Sequence, residues 1–67
     1  MKLSKFLRKQ RDTTSLRREA KEIGISHTAL LNLENDMYTD ITIGTLKLIA
    51  KKYRIDIHEV LDMWLEN

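Results

Sequence analysis

The stretch IGISHTALLNLEND, residues 23–36, contains one of the two glycines of the chain. Gly24 stands between two isoleucines, at a point where a helical pattern of apolar residues stops and begins again. A chain that leaves a helix often needs one residue in the left-handed conformation, which glycine adopts without steric cost. Ser26, two residues later, is a preferred N-cap residue. The stretch therefore predicts the end of one helix, a tight turn, and a second helix that begins at His27.

Apolar residues recur at helical spacing on both sides of this turn, and no segment alternates as a strand does. The sequence predicts an all-α fold of five short helices at residues 3–11, 16–23, 27–34, 43–53 and from 57 onward. Each helix has one apolar face that is expected to point inward. The residues of these faces are Leu3, Phe6, Leu7, Leu16, Ala20, Ile23, Leu30, Leu33, Ile43, Leu46, Ile49, Ala50, Tyr53, Ile57, Val60, Leu61 and Trp64.

Polar residues at the predicted helix ends agree with these boundaries. Asn35 or Asp36 is expected to take the left-handed conformation that ends the third helix. The fifth helix begins with an acidic variant of the capping box, in which Glu59 stands three residues after the cap. The predicted N-caps of the second to fifth helices are Ser15, Ser26, Thr42 and Asp56.

Length and composition limit the class of protein. Sixty-seven residues correspond to one domain, residues 1–67, whose small core leaves little room for a deep substrate pocket. The chain has no cysteine, which excludes disulfides and thiolate metal sites and fits a cytoplasmic location. No apolar run approaches the length of about 20 residues that spans a bilayer, and no signal peptide is expected.

The net charge of +2 conceals an asymmetry between the two halves of the chain. Residues 1–33 contain eight Lys or Arg and three acids, a balance of +5, whereas residues 34–67 contain four and seven, a balance of −3. A basic half beside an acidic half suggests a polyanionic partner for the first. A solubilising surface is the alternative explanation of the same charges.

Residues 16–34 meet the physical requirements of a helix-turn-helix. The second helix must pack on the first through one apolar stripe, which Leu30 and Leu33 provide, and its opposite face must stay free to enter a major groove. An Asn on that face can bond an adenine edge, His and Thr can donate to base acceptors, and Leu can contact a thymine methyl. The free face carries His27, Thr28, Leu31 and Asn32.

The segment LRREAKEIGISHTALLNLEND, residues 16–36, resembles the helix-turn-helix of the phage-repressor, or XRE, family of DNA-binding regulators. The later segment TIGTLKLIAKKYRIDIHEVL, residues 42–61, is similar to the family's fourth helix and the start of its fifth. The resemblance implies a lambda-repressor-like domain that binds duplex DNA in a sequence-specific way, most plausibly to repress transcription. The residues that match the family's pattern around the turn are Ala20, Gly24, Ile25, Ser26, Leu30, Leu33 and Glu34.

The resemblance also implies a role for individual residues. The start of the second helix would contact a DNA phosphate through side chains and free amides. Glu34 would pair with an arginine of the first helix, either Arg11 or Arg8, and this pairing would be structural. The candidate DNA-binding residues are Ser15, Arg17, Arg18, Ser26, His27, Thr28, Leu31, Asn32 and Asn35. One of the two adjacent arginines, Arg17 or Arg18, is expected to be a bystander.

The chain departs from the family's pattern at four places. The turn between the first two helices is shorter than in the family, which bears on the choice between Arg11 and Arg8 as the partner of Glu34. Leu16 stands where a phosphate-contacting Gln is frequent, and Glu19 stands where an apolar residue is usual. The loop NDMYTDIT, residues 35–42, offers acids where the family usually has Lys or Arg. Contacts of this loop with the DNA backbone would have to come from Asn35, Tyr38, Thr42 or amides near Gly44.

Other classes of function have little support in the sequence. The pair His58–Glu59 is not a zinc motif, because no second His lies four residues further on, so neither a metal nor another cofactor is expected. A nucleophile elbow, a phosphate-binding glycine loop and paired acids are all missing, which argues against an enzyme. The alternative is a protein-interaction module, such as an antitoxin or anti-repressor, that keeps the fold without binding DNA.

The C-terminal half is the predicted surface for a homodimer. One recognition helix contacts few base pairs, so two copies on half-sites one helical turn apart bind better. The alternative is that Trp64 and Leu65 fold back over the domain's own core. The candidate dimer residues are Leu48, Met63, Trp64 and Leu65.

Overall fold

The computed structural model of the chain describes residues 1–37 and 41–66. These residues form five α-helices and no strand, so the predicted all-α fold is confirmed. Tyr38, one of the residues expected to contact the DNA backbone, lies outside the described residues. The helices are α1 (Leu3–Arg11), α2 (Leu16–Ile23), α3 (His27–Glu34), α4 (Ile43–Tyr53) and α5 (Ile57–Leu65). These are the predicted bounds, except that the sequence predicts no end for α5.

The core lies where the apolar faces of the five helices meet. Helix α3 packs against α1 and α2, while α4 packs against α2 and α5, and α1 also contacts α5. Phe6, Leu16, Tyr53, Ile57, Leu61 and Trp64, all predicted to face inward, are partly buried at the edge of this core. The buried apolar residues are Leu3, Leu7, Ala20, Ile23, Leu30, Leu33, Leu46, Ile49, Ala50 and Val60.

Helices α3, α4 and α5 begin in the same way. An isoleucine packs against the core, the next residue is the N-cap, and the fourth helical residue is buried, which is the spacing of a hydrophobic staple. For α3 these residues are Ile25, Ser26 and Leu30. The corresponding residues are Ile41, Thr42 and Leu46 for α4, and Ile55, Asp56 and Val60 for α5.

Two expectations about helix ends need correction or completion. Ile43 was predicted to face inward but is 56% exposed, because Ile41 on the other side of the cap supplies the apolar contact at the start of α4. The left-handed stop after α3 is taken by Asp36, with φ of 58°, and not by Asn35, whose φ is −106°.

The predicted capping box of α5 is only half correct. Asp56 is the N-cap, but its carboxylate accepts from the amide of His58 at 2.7 Å and not from that of Glu59. The same oxygen lies 2.8 Å from Nδ1 of the His58 ring, which holds the carboxylate toward the second helical residue. These two hydrogen bonds lower the pKa of Asp56.

Candidate nucleic-acid interface

The turn between α2 and α3 is built around Gly24. Its φ of 99° and ψ of 26° lie in the left-handed region, as predicted. Its amide donates to the carbonyl of Ala20 at 2.9 Å, and the amide of Ile25 donates to the same carbonyl at 3.0 Å. Ser26 then caps α3, because its Oγ accepts from the amide of Ala29 at 3.1 Å. The turn and the cap together direct α3 away from the end of α2.

Helix α3 has one buried and one outer face. Leu30 and Leu33 point into the core, as the sequence predicts. On the outer face His27, Thr28 and Leu31 are exposed, while Asn32 is partly buried. This face therefore carries an imidazole, a hydroxyl, an isobutyl group and a carboxamide, which are groups that can contact base edges.

The start of α2 offers hydrogen-bond donors to an anion. The Oγ of Ser15 accepts from the amide of Arg18 at 3.2 Å, which makes Ser15 the predicted N-cap. The first amides of a helix have no intrahelical acceptor, so the amides of Leu16 and Arg17, which precede that of Arg18, can donate to a phosphate. Arg17 and Arg18 are both exposed, but Arg18 is bonded to Glu22 at 3.3 Å along the helix. Arg17 is therefore the better candidate for a phosphate contact.

Asn35 stands at the other end of α3, where it is the C-cap residue. Its Oδ1 accepts from Nη2 of Arg8 at 2.9 Å, so a cation of α1 is held beside the end of α3. The family resemblance implied that Arg8 was one of two possible partners of Glu34, but Arg8 bonds Asn35 instead. The helix pattern could not reveal this contact, because the two residues are 27 positions apart.

The structural pair implied by the family resemblance is present and involves Arg11. Its Nε and Nη2 each donate to one carboxylate oxygen of Glu34 at 2.8 Å, in a bidentate arrangement. Its Nη1 also donates to the carbonyl of Thr14 at 3.1 Å. The hydrogen bond with Glu34 raises the pKa of Arg11. The carboxylate of Glu34 is thereby neutralised within the domain and does not oppose a polyanion.

Glu19, which stands where the family usually has an apolar residue, is buried with partners of its own. The hydroxyl of Tyr53 donates to Oε2 of Glu19 in a short hydrogen bond. The ammonium group of Lys52 lies 3.9 Å from the same oxygen and 3.5 Å from Glu22. Burial and the bond to Glu19 raise the pKa of Tyr53. These contacts join α2 to α4, and the unusual acid in the apolar stripe was the only sign of them in the sequence.

Among residues 1–37 and 41–66, His, Cys, Asp and Glu side chains nowhere form a group of three or more that could hold a metal ion. Over the same residues no helix has the length and apolar character needed to cross a membrane.

A capped helix, a glycine turn and a second helix with an exposed face define the helix-turn-helix class of domain. The HTH_3 family model, described as helix-turn-helix, matches residues 5–60. The chain therefore belongs to this family, the XRE-type helix-turn-helix proteins, which are DNA-binding regulators. Comparisons with curated proteins and with solved structures gave no match.

Proposed function

We propose that this chain is a transcriptional regulator that binds a specific duplex sequence by placing α3 in the major groove. The observation that carries the proposal is the outer face of α3, where His27, Thr28 and Leu31 are exposed and Asn32 is partly buried. Each of these side chains can contact a base edge. The start of α2, with Ser15 and Arg17, supplies donors to a neighbouring phosphate. These groups lie on the two helices of the helix-turn-helix, a motif that places its second helix in the major groove while its first helix crosses the DNA backbone.

Repression is the simplest regulatory role for such a domain. A protein that occupies DNA excludes other proteins from the same sequence, and it needs no surface beyond the one that binds DNA. We include in the proposal a homodimer that uses exposed apolar residues of the C-terminal half, and a cytoplasmic location. Leu65 is 70% exposed and Leu48 is 38% exposed, whereas Met63 and Trp64 pack partly against the core.

The alternative is a protein-interaction module on the same fold. It is favoured by a shallow groove between α2 and α4, in which apolar and charged side chains are mixed. A module of this kind would not bind duplex DNA even at low salt, whereas a DNA-binding domain would bind with a steep salt dependence. The groove is lined by Glu22, Ile23, Leu48, Lys51 and Lys52.

Selection of bound sequences from a random duplex pool tests the proposal directly. The selected site is then compared with random DNA in binding titrations of variants. Asn32→Ala and Thr28→Ala are each expected to weaken binding to the selected site by about 1–3 kcal/mol, with a much smaller loss on random DNA. The difference between the two DNAs reports a contact with a base.

The two histidines of the chain provide a matched control. His27 is exposed on α3 and His58 is exposed on α5. His27→Ala is expected to weaken binding to the selected site, whereas His58→Ala leaves it unchanged. Equal losses on selected and random DNA for every α3 variant would show contacts with phosphate alone. Failure of the wild type to bind any duplex at low salt would overturn the proposal.

A further inference from the structure

Two arginines on α1, about one helical turn apart, have different amounts of free hydrogen-bonding capacity. Arg11 uses Nε and both terminal nitrogens on Glu34 and Thr14. Arg8 is exposed and uses one terminal nitrogen, on the carboxamide oxygen of Asn35. A guanidinium group has five N–H donors, so most donors of Arg8 remain available. Within residues 1–37 and 41–66, no carboxylate lies within 4.0 Å of the guanidinium of Arg8.

The bond to Asn35 fixes the position of this cation. Asn35 ends α3, so the guanidinium of Arg8 is held at the C-terminal end of the helix proposed to read bases. The carboxamide of Asn35 uses its oxygen on Arg8, which leaves its amino group as a donor. The pair therefore presents N–H donors and a positive charge, which suit the oxygens of a phosphate.

The surroundings of Arg8 on α1 have the same sign. Helix α1 contains no acid, and its lysines are exposed. Lys5 lies beside Arg8 on α1, because residues three apart are neighbours on a helix surface, whereas Lys9 follows Arg8 directly in the chain and lies on another side of the helix. Exposed cations alone would be explained by solubility. Here one of them is bonded to the end of α3, which places the group beside the surface proposed for DNA.

We infer that Arg8, positioned by Asn35 and with Lys5 beside it, binds one phosphate of the DNA backbone beside the C-terminal end of α3. This inference rests on the proposed function, since it assigns a second phosphate contact to the same DNA. The contact is separate from the one at the start of α2, because it uses α1 and the opposite end of the helix-turn-helix. It replaces the cations that the loop after α3 lacks.

The test replaces single phosphates of the selected duplex, one at a time, by uncharged methylphosphonates. At one position the replacement is expected to weaken the wild type severalfold and to leave Arg8→Gln unaffected. Arg8→Gln itself is expected to weaken binding to the unmodified site about tenfold and to lower the salt slope by about one unit. Asn35→Ala is expected to produce a smaller loss, and to add little when Arg8 is already replaced.

Lys51→Gln is the matched control, because it removes one exposed charge from α4 without touching Asn35. It is expected to keep the wild-type response to every methylphosphonate and the wild-type salt slope. The inference is wrong if Arg8→Gln also keeps the full wild-type pattern, or if both variants change the slope equally. A wild type that binds no duplex is a different outcome, because it overturns the proposed function itself. Melting curves verify that every variant is folded.

Discussion

The carboxylate of Glu34 is nearly inaccessible, with 4% of its side chain exposed, and it closes the end of α3 against α1. Its two oxygens accept from Arg11, which also bonds the carbonyl of Thr14 in the turn before α2. The side chain of Arg11 thus connects α1 to the end of α3 and to the turn before α2. A buried charge is tolerated only while its partner remains, because the desolvated carboxylate would otherwise lack compensation.

We therefore expect Glu34→Gln to destabilise the domain by about 3 kcal/mol, the low end for a broken buried pair, because Arg11 is 27% exposed. Urea unfolding followed by circular dichroism measures this change. Glu22→Gln is the control, because the side chain of Glu22 is 44% exposed although it pairs with Arg18 and Lys52. Removal of this charge is expected to cost about 1 kcal/mol of stability or less. Equal stability losses in the two variants would show that Glu34 contributes only as a surface acid does.

Tyr53 gives the domain an alkaline pH dependence. Burial and the hydrogen bond to Glu19 raise the pKa of its phenol above the ordinary value of about 10. Below that value both the folded and the unfolded chain hold the proton, so this group contributes no pH dependence. Above it only the unfolded chain releases the proton, and the free energy of unfolding falls as the pH rises.

Tyr53→Phe is expected to be less stable than the wild type at pH 8, because Glu19 loses a donor. Its free energy of unfolding is expected to fall less steeply between pH 9.5 and 11, a range set by the ordinary phenol pKa of about 10. Urea titrations at several pH values measure both quantities. Parallel pH profiles for the two proteins would contradict the role assigned to this phenol.

At the scale of the helices, local signals in the sequence were sufficient to predict the start of α2, α3, α4 and α5. The N-cap of each of these four helices is a residue type whose side chain accepts a hydrogen bond from the first turn, and this preference acts within four residues. Ile43 was assigned to the wrong side because periodicity alone cannot distinguish the residue before a cap from the one after it. The bonds Arg8–Asn35 and Tyr53–Glu19 join residues 27 and 34 positions apart, and only the packed fold brings them together.

The two glycines of the chain are in different situations. Gly24 has a positive φ that the turn requires, whereas Gly44 lies in a helix, where glycine is a poor helix former. A Cβ on Gly24 would stand 3.8 Å from Leu48, which is normal contact, so only the positive φ opposes a side chain there. Gly24→Ala is expected to destabilise the domain by about 1–2 kcal/mol. Gly44→Ala, inside α4, is expected to stabilise it by up to about 1 kcal/mol. Thermal unfolding of both variants tests this, and a tolerated Gly24→Ala would show that the turn adjusts.

At the scale of the whole molecule, charge is divided between the first and last helices. Helix α1 contains only basic charged residues, whereas α5 contains Glu59 and Asp62 and no Lys or Arg. We expect a domain with this charge distribution to approach a polyanion through α1 and the start of α2, because the acids of α5 repel the polyanion. The sequence shows this charge distribution. The contact between α1 and α5 is seen only in the packed fold.

The dimensions of the domain limit how a dimer would form on DNA. The domain measures 26 × 23 × 20 Å along its principal axes. Half-sites one helical turn apart have centres about 34 Å apart, so two bound copies would meet only through protruding side chains. We expect so limited a contact to bury less than the roughly 1,200 Å² of a stable complex. The dimer is therefore expected to be weak in solution and to form cooperatively on a palindromic site.

Leu65 is the residue best placed to test this dimer, because it is 70% exposed and its replacement leaves the core intact. Leu65→Glu is expected to abolish cooperative binding to two half-sites while affinity for one half-site stays the same. Ile43→Glu, a similar change at a residue 56% exposed on α4, is the control for stability and solution mass. Trp64→Ala distinguishes the alternative, since a tryptophan that belongs to the core would unfold the chain when removed. Sedimentation of the wild type as a monomer both alone and on the palindromic site would rule out the dimer, because mass action on adjacent half-sites favours even a weak contact.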